Sequence, residues 1–472
     1  MPDALLALIL SHLPGESLAA VVASCQACRQ LLPHVADVAV GHLGIPLPAA
    51  QKSCEPIARR IEYARRMSAR SRCSLAAGRS FSLCISSSGH LFSWGVDVDD
   101  DYGVPDDPDE LGSPGGAVEQ LHRCFVGHLG HGSLWGQAER LPRALVALPQ
   151  VVEVASGRFH CLLLASDGRL YSWGTGSFGQ LGHGDRRPQP RPRHVQGFDG
   201  HAVQVACGHD HSLVVSSDGE VFSFGRGNLG QLGQGQMGMR AVPARVCLPP
   251  PPSQSVSTQS SSTVSAERVV HVAGGLFHSL AVTDAGDLFS WGSGTNGRLG
   301  HGDTIMQLRP RRVAALQSPR IVHASAGCGH SLAVSDKGEL FSWGQGHNGR
   351  LGHGNQETKM SPALVQGLLG HVIVRAFAGW EHSVALTREG VLYAFGAGDH
   401  GALAQAWEEP ATPARVCALG DDGACDVAAG AEHTLVRTRA ADVVAFEWGL
   451  GSQPGARRAG HKMLPLHVFK AV

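Results

Sequence analysis

The chain has 472 residues, 61 of them glycine, and only 17% are Asp, Glu, Lys or Arg. Globular proteins average ~7% glycine and ~25% charged residues, so this composition favours turns and short strands over charged helices. The net charge of −1 lacks the basic excess that attracts nucleic acid or an anionic membrane surface. Neither is therefore expected as a partner.

Residues 1–13 are largely apolar, but they contain Asp3, lack a basic leader and are followed by Pro14. A signal peptide would have a basic leader, and no apolar run reaches the ~18 residues that span a bilayer. We expect an intracellular protein of the cytoplasm, the nucleus or both. In such a compartment its 12 cysteines are expected to be reduced thiols.

Residues 1–45 have the pattern of a short helical segment. Apolar residues recur at helical spacing on both sides of a Pro-Gly-Glu-Ser break at positions 14–17. Helices this short cannot bury their apolar faces alone, so they must pack on another surface. The pattern resembles an F-box, which docks on the Skp-type adaptor of a cullin-based ubiquitin ligase. The resemblance implies adaptor contacts at Pro2, Leu5, Leu6, Ile9, Leu10, Leu13 and Leu18. The alternative is a helical cap packed on the rim of the next domain.

Residues 46–70 are predicted to form an Arg-rich linker helix. Ile57 and Ile61 give it one apolar side, and arginines outnumber acidic residues between Glu55 and Arg72. We interpret the basic run as a solvated connector. A nuclear-import or phosphate-contacting patch is the alternative.

Residues 71–472 contain seven copies of one sequence unit. Each begins with Gly-x-x-His or a close variant, at positions 78, 157, 208, 275, 327, 379 and 430, with an underlying period of 51–52 residues. An aromatic-Gly pair and then a proline follow in every unit, and this proline is predicted at the start of the last strand or at a sheet edge. Short apolar blocks between turns such as Asp167-Gly168 and Asp218-Gly219 indicate four strands per unit. In the third unit these are Val203–Cys207, Ser212–Ser216, Glu220–Phe224 and Arg245–Leu248. We predict a mainly-β, seven-bladed propeller, because radial stacking buries faces that one small sheet leaves exposed.

The unit resembles the repeat of the regulator of chromosome condensation family, most fully in the run from Ala326 to Gly354. The resemblance covers about residues 70–472 and implies a seven-bladed propeller. The founding member of the family is a guanine-nucleotide exchange factor for a Ran-like GTPase. One branch, the plant UV-B photoreceptor, absorbs through tryptophans in Gly-Trp-Arg-His-Thr motifs. Only the segment 379–383, Gly-Trp-Glu-His-Ser, is related here, so photoreception is not expected.

Two insertions interrupt the period, near residues 96–124 and 249–265. The first contains nine acidic residues and the second is a Pro/Ser tract. We expect both to leave the blades as solvated loops. For the acidic insertion, a partner-binding element is the alternative.

Several signals that suggest chemistry are explained by the repeat. Five Gly-x-Gly-x-x-Gly copies lead into another turn instead of the helix that a dinucleotide site needs. The recurring histidines are predicted to hydrogen-bond within their own blades, and the landmark tryptophans are predicted to fill the core. Cys25-x-x-Cys28 lacks the second pair of a zinc site. We therefore predict that the chain has no catalytic residue, binds no metal or cofactor, and is not an enzyme.

We interpret the chain as a non-catalytic substrate-recognition subunit of a cullin-based (SCF-type) ubiquitin ligase. The N-terminal segment would bind the adaptor and the propeller an unknown protein substrate, which raises the effective concentration of that substrate at the ligase. A guanine-nucleotide exchange factor or regulator of a Ran-like small GTPase is the alternative, and a scaffold propeller with a helical cap is the second alternative. The sequence assigns no substrate-binding residue on the propeller.

Overall fold

The computed structural model of the chain describes residues 74–96, 127–132, 138–198, 201–250, 267–397, 411–417, 419, 423–431, 433–446 and 466–470. The F-box-like segment 1–45, the linker 46–70 and most of both insertions lie outside the described residues. The described strands form seven four-stranded antiparallel sheets, each built from strands that are consecutive in the chain. The predicted mainly-β, seven-bladed propeller is confirmed. Within this part of the chain no helix is long and apolar enough to cross a membrane.

The strands are numbered in chain order, four to a blade. Blades 1 to 4 contain β1 (Leu75–Ala77), β2 (Phe81–Ile85), β3 (Leu91–Val96), β4 (Ala138–Ala144), β5 (Val151–Ser156), β6 (His160–Ala165), β7 (Leu170–Gly174), β8 (Gln189–His194), β9 (Ala202–Cys207), β10 (His211–Ser216), β11 (Val221–Gly225), β12 (Arg240–Val246), β13 (Val269–Gly274), β14 (His278–Thr283), β15 (Leu288–Gly292) and β16 (Gln307–Arg312). Blades 5 to 7 contain β17 (Ile321–Ala326), β18 (His330–Ser335), β19 (Leu340–Gly344), β20 (Lys359–Leu364), β21 (Ile373–Ala378), β22 (His382–Thr387), β23 (Leu392–Gly396), β24 (Ala414–Arg415), β25 (Ala424–Ala429), β26 (Thr434–Thr438), β27 (Asp442–Phe446) and β28 (Leu466–Lys470). Short 3-10 helices in the described connections are Thr295–Gly297, Ala314–Leu316, His347–Gly349 and Gln366–Leu368.

The first strand of each blade lies nearest the axis, where it contacts the first strands of neighbouring blades, and the fourth lies at the rim. We call the upper face the one that carries the turns between first and second strands and the connections between third and fourth strands. The lower face carries the turns between second and third strands and the connections from blade to blade. Every blade therefore presents the start of its repeat on the upper face, which is Gly-x-x-His in blades 2 to 7 and Gly-x-x-Phe in blade 1.

The two insertions leave the propeller on opposite faces. β3 ends at Val96 on the upper face, because Gly95 pairs with Phe81 at the start of β2. β12 instead ends on the lower face, where Val246 pairs with Val221. The chain also begins blade 1 at the lower face, because Leu75 pairs with Cys84 near the end of β2. The acidic insertion is thus attached to the upper face, and the Pro/Ser tract and the N-terminal segment to the lower face.

The landmark tryptophans fill the space between neighbouring sheets. Trp94, Trp173, Trp291 and Trp343 are each at most 2% exposed. Nε1 of Trp173 donates to the carbonyl oxygen of His128 at 2.8 Å, and Nε1 of Trp291 donates to that of Gln231 at 2.9 Å. In both cases the acceptor belongs to the preceding blade. The prediction of core tryptophans is confirmed for these four, and Trp448 lies outside the described residues.

The predicted last strand of the third unit is wrong, because it runs over Arg240–Val246 instead of Arg245–Leu248. In blades 1 to 5 the repeat proline lies inside the rim strand and not at its predicted start, whereas in blade 6 Pro413 directly precedes β24. In blade 2 the register changes between the pairs Ser172–Arg193 and Gly174–Gln189. Pro192 therefore lies in a bulge on an outer strand, where a missing N–H donor costs little. The predicted edge position of the proline is confirmed.

The ring closes without exchange of a strand, because all four strands of blade 7 come from the C-terminal part of the chain. Asp426 at the start of blade 7 accepts hydrogen bonds from the backbone N and Oγ of Ser74, at 3.0 and 2.6 Å. Its other carboxylate oxygen accepts from Nη1 of Arg375 in blade 6 at 2.9 Å. This buried carboxylate therefore joins three blades beside the axis.

Candidate functional site

The histidine at the start of the second strand contacts the next blade. Its Nε2 lies within hydrogen-bond distance of a hydroxyl there in the pairs His160–Ser212 (3.0 Å), His211–Ser279 (2.9 Å), His278–Ser331 (2.8 Å), His330–Ser383 (2.9 Å), His382–Thr434 (3.0 Å) and His433–Ser82 (3.0 Å). The prediction that these histidines bond within their own blades is therefore wrong. The imidazole lies against the repeat glycine of its own turn, so only its far nitrogen is left to reach a partner, and that partner is in the neighbouring sheet.

The proton positions in these interblade His–Ser pairs follow from the second bond of the hydroxyl. Ser212 Oγ donates a hydrogen bond to the carbonyl oxygen of Gln180 at 2.8 Å, so it accepts a hydrogen bond from Nε2–H of His160. Burial lowers the pKa of His160 to about 4 and that of His211 to about 3, which keeps both rings neutral. These histidines are structural. Among the described residues no group of three or more His, Cys, Asp or Glu side chains is placed to hold a metal ion.

The histidines of the Gly-His-Gly turns do bond within their own blades, as predicted. Nε2 of His183 lies 3.0 Å from Oγ of Ser172, and His301 and His353 repeat this contact with Ser290 and Ser342. The described Gly-x-Gly-x-x-Gly copies also lead into turns, not into a long helix. Their interpretation as repeat turns is confirmed, while the copy that begins at Gly396 continues outside the described residues.

The candidate site is a funnel on the axis at the upper face. Its wall is formed by the residues that follow the repeat glycines, namely Arg79, Arg158, His209, Leu276, Cys328, Trp380 and Ala431. The enclosed volume is about 80 Å³. One water needs ~10–15 Å³ by this kind of measure, so the head group of a side chain fits but a whole nucleotide does not.

The repeat glycines bring the seven upper-face turns this close to the axis. A Cβ on Gly275 would lie 2.6 Å from the carbonyl oxygen of Gly327 in the next blade. No side chain fits there, so the glycine is required by close approach. The same approach allows backbone hydrogen bonds between turns, such as Leu276 N to Gly327 O and Arg158 N to His209 O, both 3.1 Å.

One side of the funnel is cationic. Nη1 of Arg158 lies 3.1 Å from Nε2 of His209, and Nδ1 of His209 lies 2.9 Å from Oδ2 of Asp210. A guanidinium only donates, so Nε2 accepts and Nδ1–H donates to the carboxylate. Burial alone would raise the pKa of Asp210, but His209, Arg226 and Arg158 outweigh it and hold that pKa well below its usual range. Asp210 is therefore ionised, and it forms an ion pair with Arg226, whose Nη1 lies 3.4 Å from Oδ2 of Asp210.

The other side of the funnel is mainly apolar. Leu276, Cys328, Trp380 and Ala431 line it. The guanidinium carbon of Arg79 lies 5.2 Å from the centroid of the Trp380 ring. The His209 ring also stacks on Trp380, at 6.3 Å between centroids. The funnel thus combines two arginines with a flat aromatic surface.

The sequence assigns no function to these funnel residues, and of them only Trp380 belongs to a motif considered above, the segment 379–383. The proposed adaptor contacts, Pro2, Leu5, Leu6, Ile9, Leu10, Leu13 and Leu18, lie outside the described residues. One signal was present: the two positions after each repeat glycine vary, whereas the glycine itself recurs in all seven units. Such variation indicates positions with weaker packing demands than the glycine has.

The chain matches the model of the RCC1-like domain, over residues 39–375 and again over 123–465. It is 32% identical to the ultraviolet-B receptor UVR8 of Arabidopsis thaliana over 322 residues, which cover 68% of this chain and 70% of the receptor. It is 35% identical to the human E3 ubiquitin-protein ligase HERC2 over 263 residues, which are 54% of this chain but only 5% of HERC2. The chain thus corresponds to a small part of that ligase.

Solved structures give the same result. The crystal structure of human WBSCR16 is 26% identical, has a TM-score of 0.61 and covers 77% of this chain and 86% of its own. That of Prp20p from Saccharomyces cerevisiae is 23% identical, has a TM-score of 0.59 and covers 73% and 84%. The second likeness bears on the fold alone. From the repeat, the seven blades and these matches, the chain belongs to the RCC1-like domain family.

Proposed function

We propose that the protein binds a small GTPase of the Ran type through the upper face of its propeller and accelerates the release of its guanine nucleotide. Family members are binding or regulatory modules, and the structure of Prp20p was reported together with its binding properties to Gsp1p and histones. The observation that carries the proposal is the make-up of the upper face, which has a cationic centre and exposed apolar side chains at its rim.

The apolar side chains lie where the chain enters the rim strands of three successive blades. Met237 in blade 3 is 60% exposed and Ile305 in blade 4 is 63% exposed. Met239, Met306 and Met360 are exposed at neighbouring positions of the same face. Large apolar side chains that gather on one face mark surfaces for partners, and methionine adapts readily to the shape of a partner. We therefore place the protein contact on the upper face of blades 3 to 5.

A nucleotide-release assay tests this proposal. The purified protein is added to a Ran-type GTPase loaded with a fluorescent guanine nucleotide, and we expect release to be accelerated at least ~10-fold. Met237→Asp/Ile305→Asp is expected to abolish the acceleration, because two charges are placed in the contact. Leu369→Asp is the matched control, since Leu369 is 55% exposed but lies on the lower face. Release at the intrinsic rate with the wild-type protein contradicts the proposal.

The second candidate is the substrate receptor of a cullin-based ligase. It is favoured by the apolar spacing within residues 1–45 and by the position of Ser74, where the chain enters the ring at the lower face. An adaptor bound to the N-terminal segment would leave the upper face open for a substrate. Both functions would place the protein in the cytoplasm, the nucleus or both.

Co-purification with a Skp-type adaptor separates the two candidates. Wild-type protein is compared with Leu6→Asp/Ile9→Asp, which puts charges on the predicted docking side. Association of the wild type alone supports the receptor. If neither protein associates, the receptor function is contradicted, and the GTPase assay is unaffected by that result.

A further inference from the structure

We propose that the axial funnel binds the carboxylate of an Asp or Glu side chain in an acidic segment of a partner protein. The inference deepens the proposed function, because it names the chemistry of one contact on the upper face. It does not depend on which protein supplies the acidic segment. It rests on the charge, the geometry and the size of the funnel.

The charge of the funnel wall favours an anion. Among the described residues that line it, two are arginines and none is Asp or Glu. Asp210, which follows the lining residue His209, is buried and lies beside Arg226 and His209. The described lining therefore carries positive charge at Arg79 and Arg158 and contains no carboxylate.

Both arginines of the funnel lie over aromatic rings. The guanidinium carbon of Arg158 lies 4.9 Å from the centroid of the Phe159 ring, and that of Arg79 lies 5.2 Å from the centroid of the Trp380 ring. Such cation–π contacts favour these positions of the guanidinium groups, whose N–H groups lie along the edges of the guanidinium plane. A carboxylate is also planar and accepts two parallel N–H bonds from such an edge. The apolar wall at Leu276 and Trp380 suits the methylene groups of an acidic side chain.

The backbone of the funnel favours a carboxylate over a phosphate. Phosphate sites commonly use several backbone N–H groups that converge on the anion. Here the N–H groups of Arg158, His209, Leu276 and Ala431 already donate to carbonyl oxygens of the neighbouring turns, at 3.1 to 3.2 Å. The anion must therefore be bound by side chains. The volume of about 80 Å³ leaves room for the end of an acidic side chain.

A peptide-binding assay with the full chain tests this inference. The probe is a fluorescently labelled hexaglutamate peptide, and the readout is its anisotropy at low salt. The same peptide with glutamine at every position is expected not to bind. Arg79→Gln and Arg158→Gln are each expected to weaken hexaglutamate binding at least ~5-fold. Arg169→Gln is the matched control, because Arg169 is 54% exposed on the lower face, and it is expected to leave binding unchanged.

Three results would overturn the inference. These are no hexaglutamate binding by the wild type, an equal loss with Arg169→Gln, and tighter binding of a phosphoserine peptide of the same length. Thermal unfolding of each variant identifies misfolding, and Arg79→Gln decides the outcome if Arg158→Gln disturbs the contact with His209. The assay contains no GTPase. Peptide binding that survives a negative nucleotide-release assay therefore supports the funnel site and contradicts only the GTPase as its partner.

Discussion

Nε2 of His433 in the last blade lies 3.0 Å from Oγ of Ser82 in the first blade, across 351 positions of the chain. The same pair of groups joins blades 2 to 3, 3 to 4, 4 to 5 and 5 to 6, and Thr434 supplies the hydroxyl between blades 6 and 7. The closing interface is therefore built like the internal ones. Since no strand is shared between the ends of the chain, such side-chain contacts hold the ring together.

Ser82→Ala is expected to lower the free energy of unfolding by ~1–3 kcal/mol. The change leaves Nε2 of His433 buried without its partner, and an unsatisfied buried polar group carries that penalty. Urea unfolding followed by tryptophan fluorescence measures the difference. Ser87→Ala, at an exposed turn of the same blade, is the control and should change stability by less than ~0.5 kcal/mol. Equal stability of both variants would show that the His433 pair does not hold the closing interface.

The interface between blades 1 and 2 uses a different pair of side chains. Phe81 stands where the other turns have His, and Cys161 stands where the next blade has Ser. Both are buried, and the thiol lies 3.7 Å from the carbonyl oxygen of His128, the kind of acceptor that serine finds elsewhere. Phe81 and Cys161 together therefore take the place of the His–Ser hydrogen bond found at the other interfaces.

Phe81→His is expected to destabilise the protein by ~2–4 kcal/mol, because it removes a large ring and buries an imidazole next to a thiol. Adding Cys161→Ser supplies the missing hydroxyl, so the double variant should recover ~1 kcal/mol or more. A double-mutant cycle of unfolding free energies measures this coupling. Additive losses in the double variant would contradict the idea of a replaceable pair.

The repeat made the blades readable from the sequence, because a fixed period places equivalent residues at equivalent positions of successive sheets. Hairpin turns were readable for the same reason: Gly168 and Gly219, predicted as turn residues, have φ of +80° and +77°. The blade that contains the hydrogen-bond partner of each interblade histidine could not be predicted. Their spacing is the same whether the ring bonds within its sheet or to the next one, and only the packing of two sheets decides between them.

The funnel could not be derived from the sequence either. Its residues come from seven different turns, and Arg79 and Trp380 are about 300 positions apart in the chain. They meet only because the ring closes around one axis. Variation after the repeat glycine indicates freedom from packing, but it does not show that the free positions converge.

Gly275→Ala is expected to destabilise the protein by more than ~2 kcal/mol. The new methyl group would lie 2.6 Å from the carbonyl oxygen of Gly327 and also against the ring of His278, so two blades must separate to admit it. Gly197→Ala is the comparison, since Gly197 has φ of +76° and no atom within 4 Å of an added Cβ. Only backbone strain of ~1–2 kcal/mol applies there. A larger loss at Gly197 in urea unfolding would contradict the close-approach account of the repeat glycines.

The buried histidines make the stability of the propeller depend on pH. Burial lowers the pKa of His160 to about 4, and for His211 and His382 burial is again the main cause of a pKa near 3. Burial likewise lowers the pKa of His433 to about 4, and it holds those of His278 and His330 well below the usual value. In the unfolded chain a histidine has a pKa of ~6.5.

Between pH ~6.5 and pH ~4 the unfolded chain therefore binds more protons than the folded one, so the free energy of unfolding should fall as the pH is lowered. The stabilisation from keeping these histidines neutral should be fully present above pH ~6.5. Each buried histidine contributes a slope of up to ~1.4 kcal/mol per pH unit between pH ~6.5 and pH ~4. Urea unfolding at a series of pH values measures the slope. His211→Gln should reduce it by about one histidine's share, whatever its effect at pH 7, because one proton-binding group is removed. His90→Gln is the control, because this histidine lies in an exposed turn outside the interblade pairs. A slope that is the same in all three proteins would mean that protonation of the interblade histidines does not govern acid unfolding.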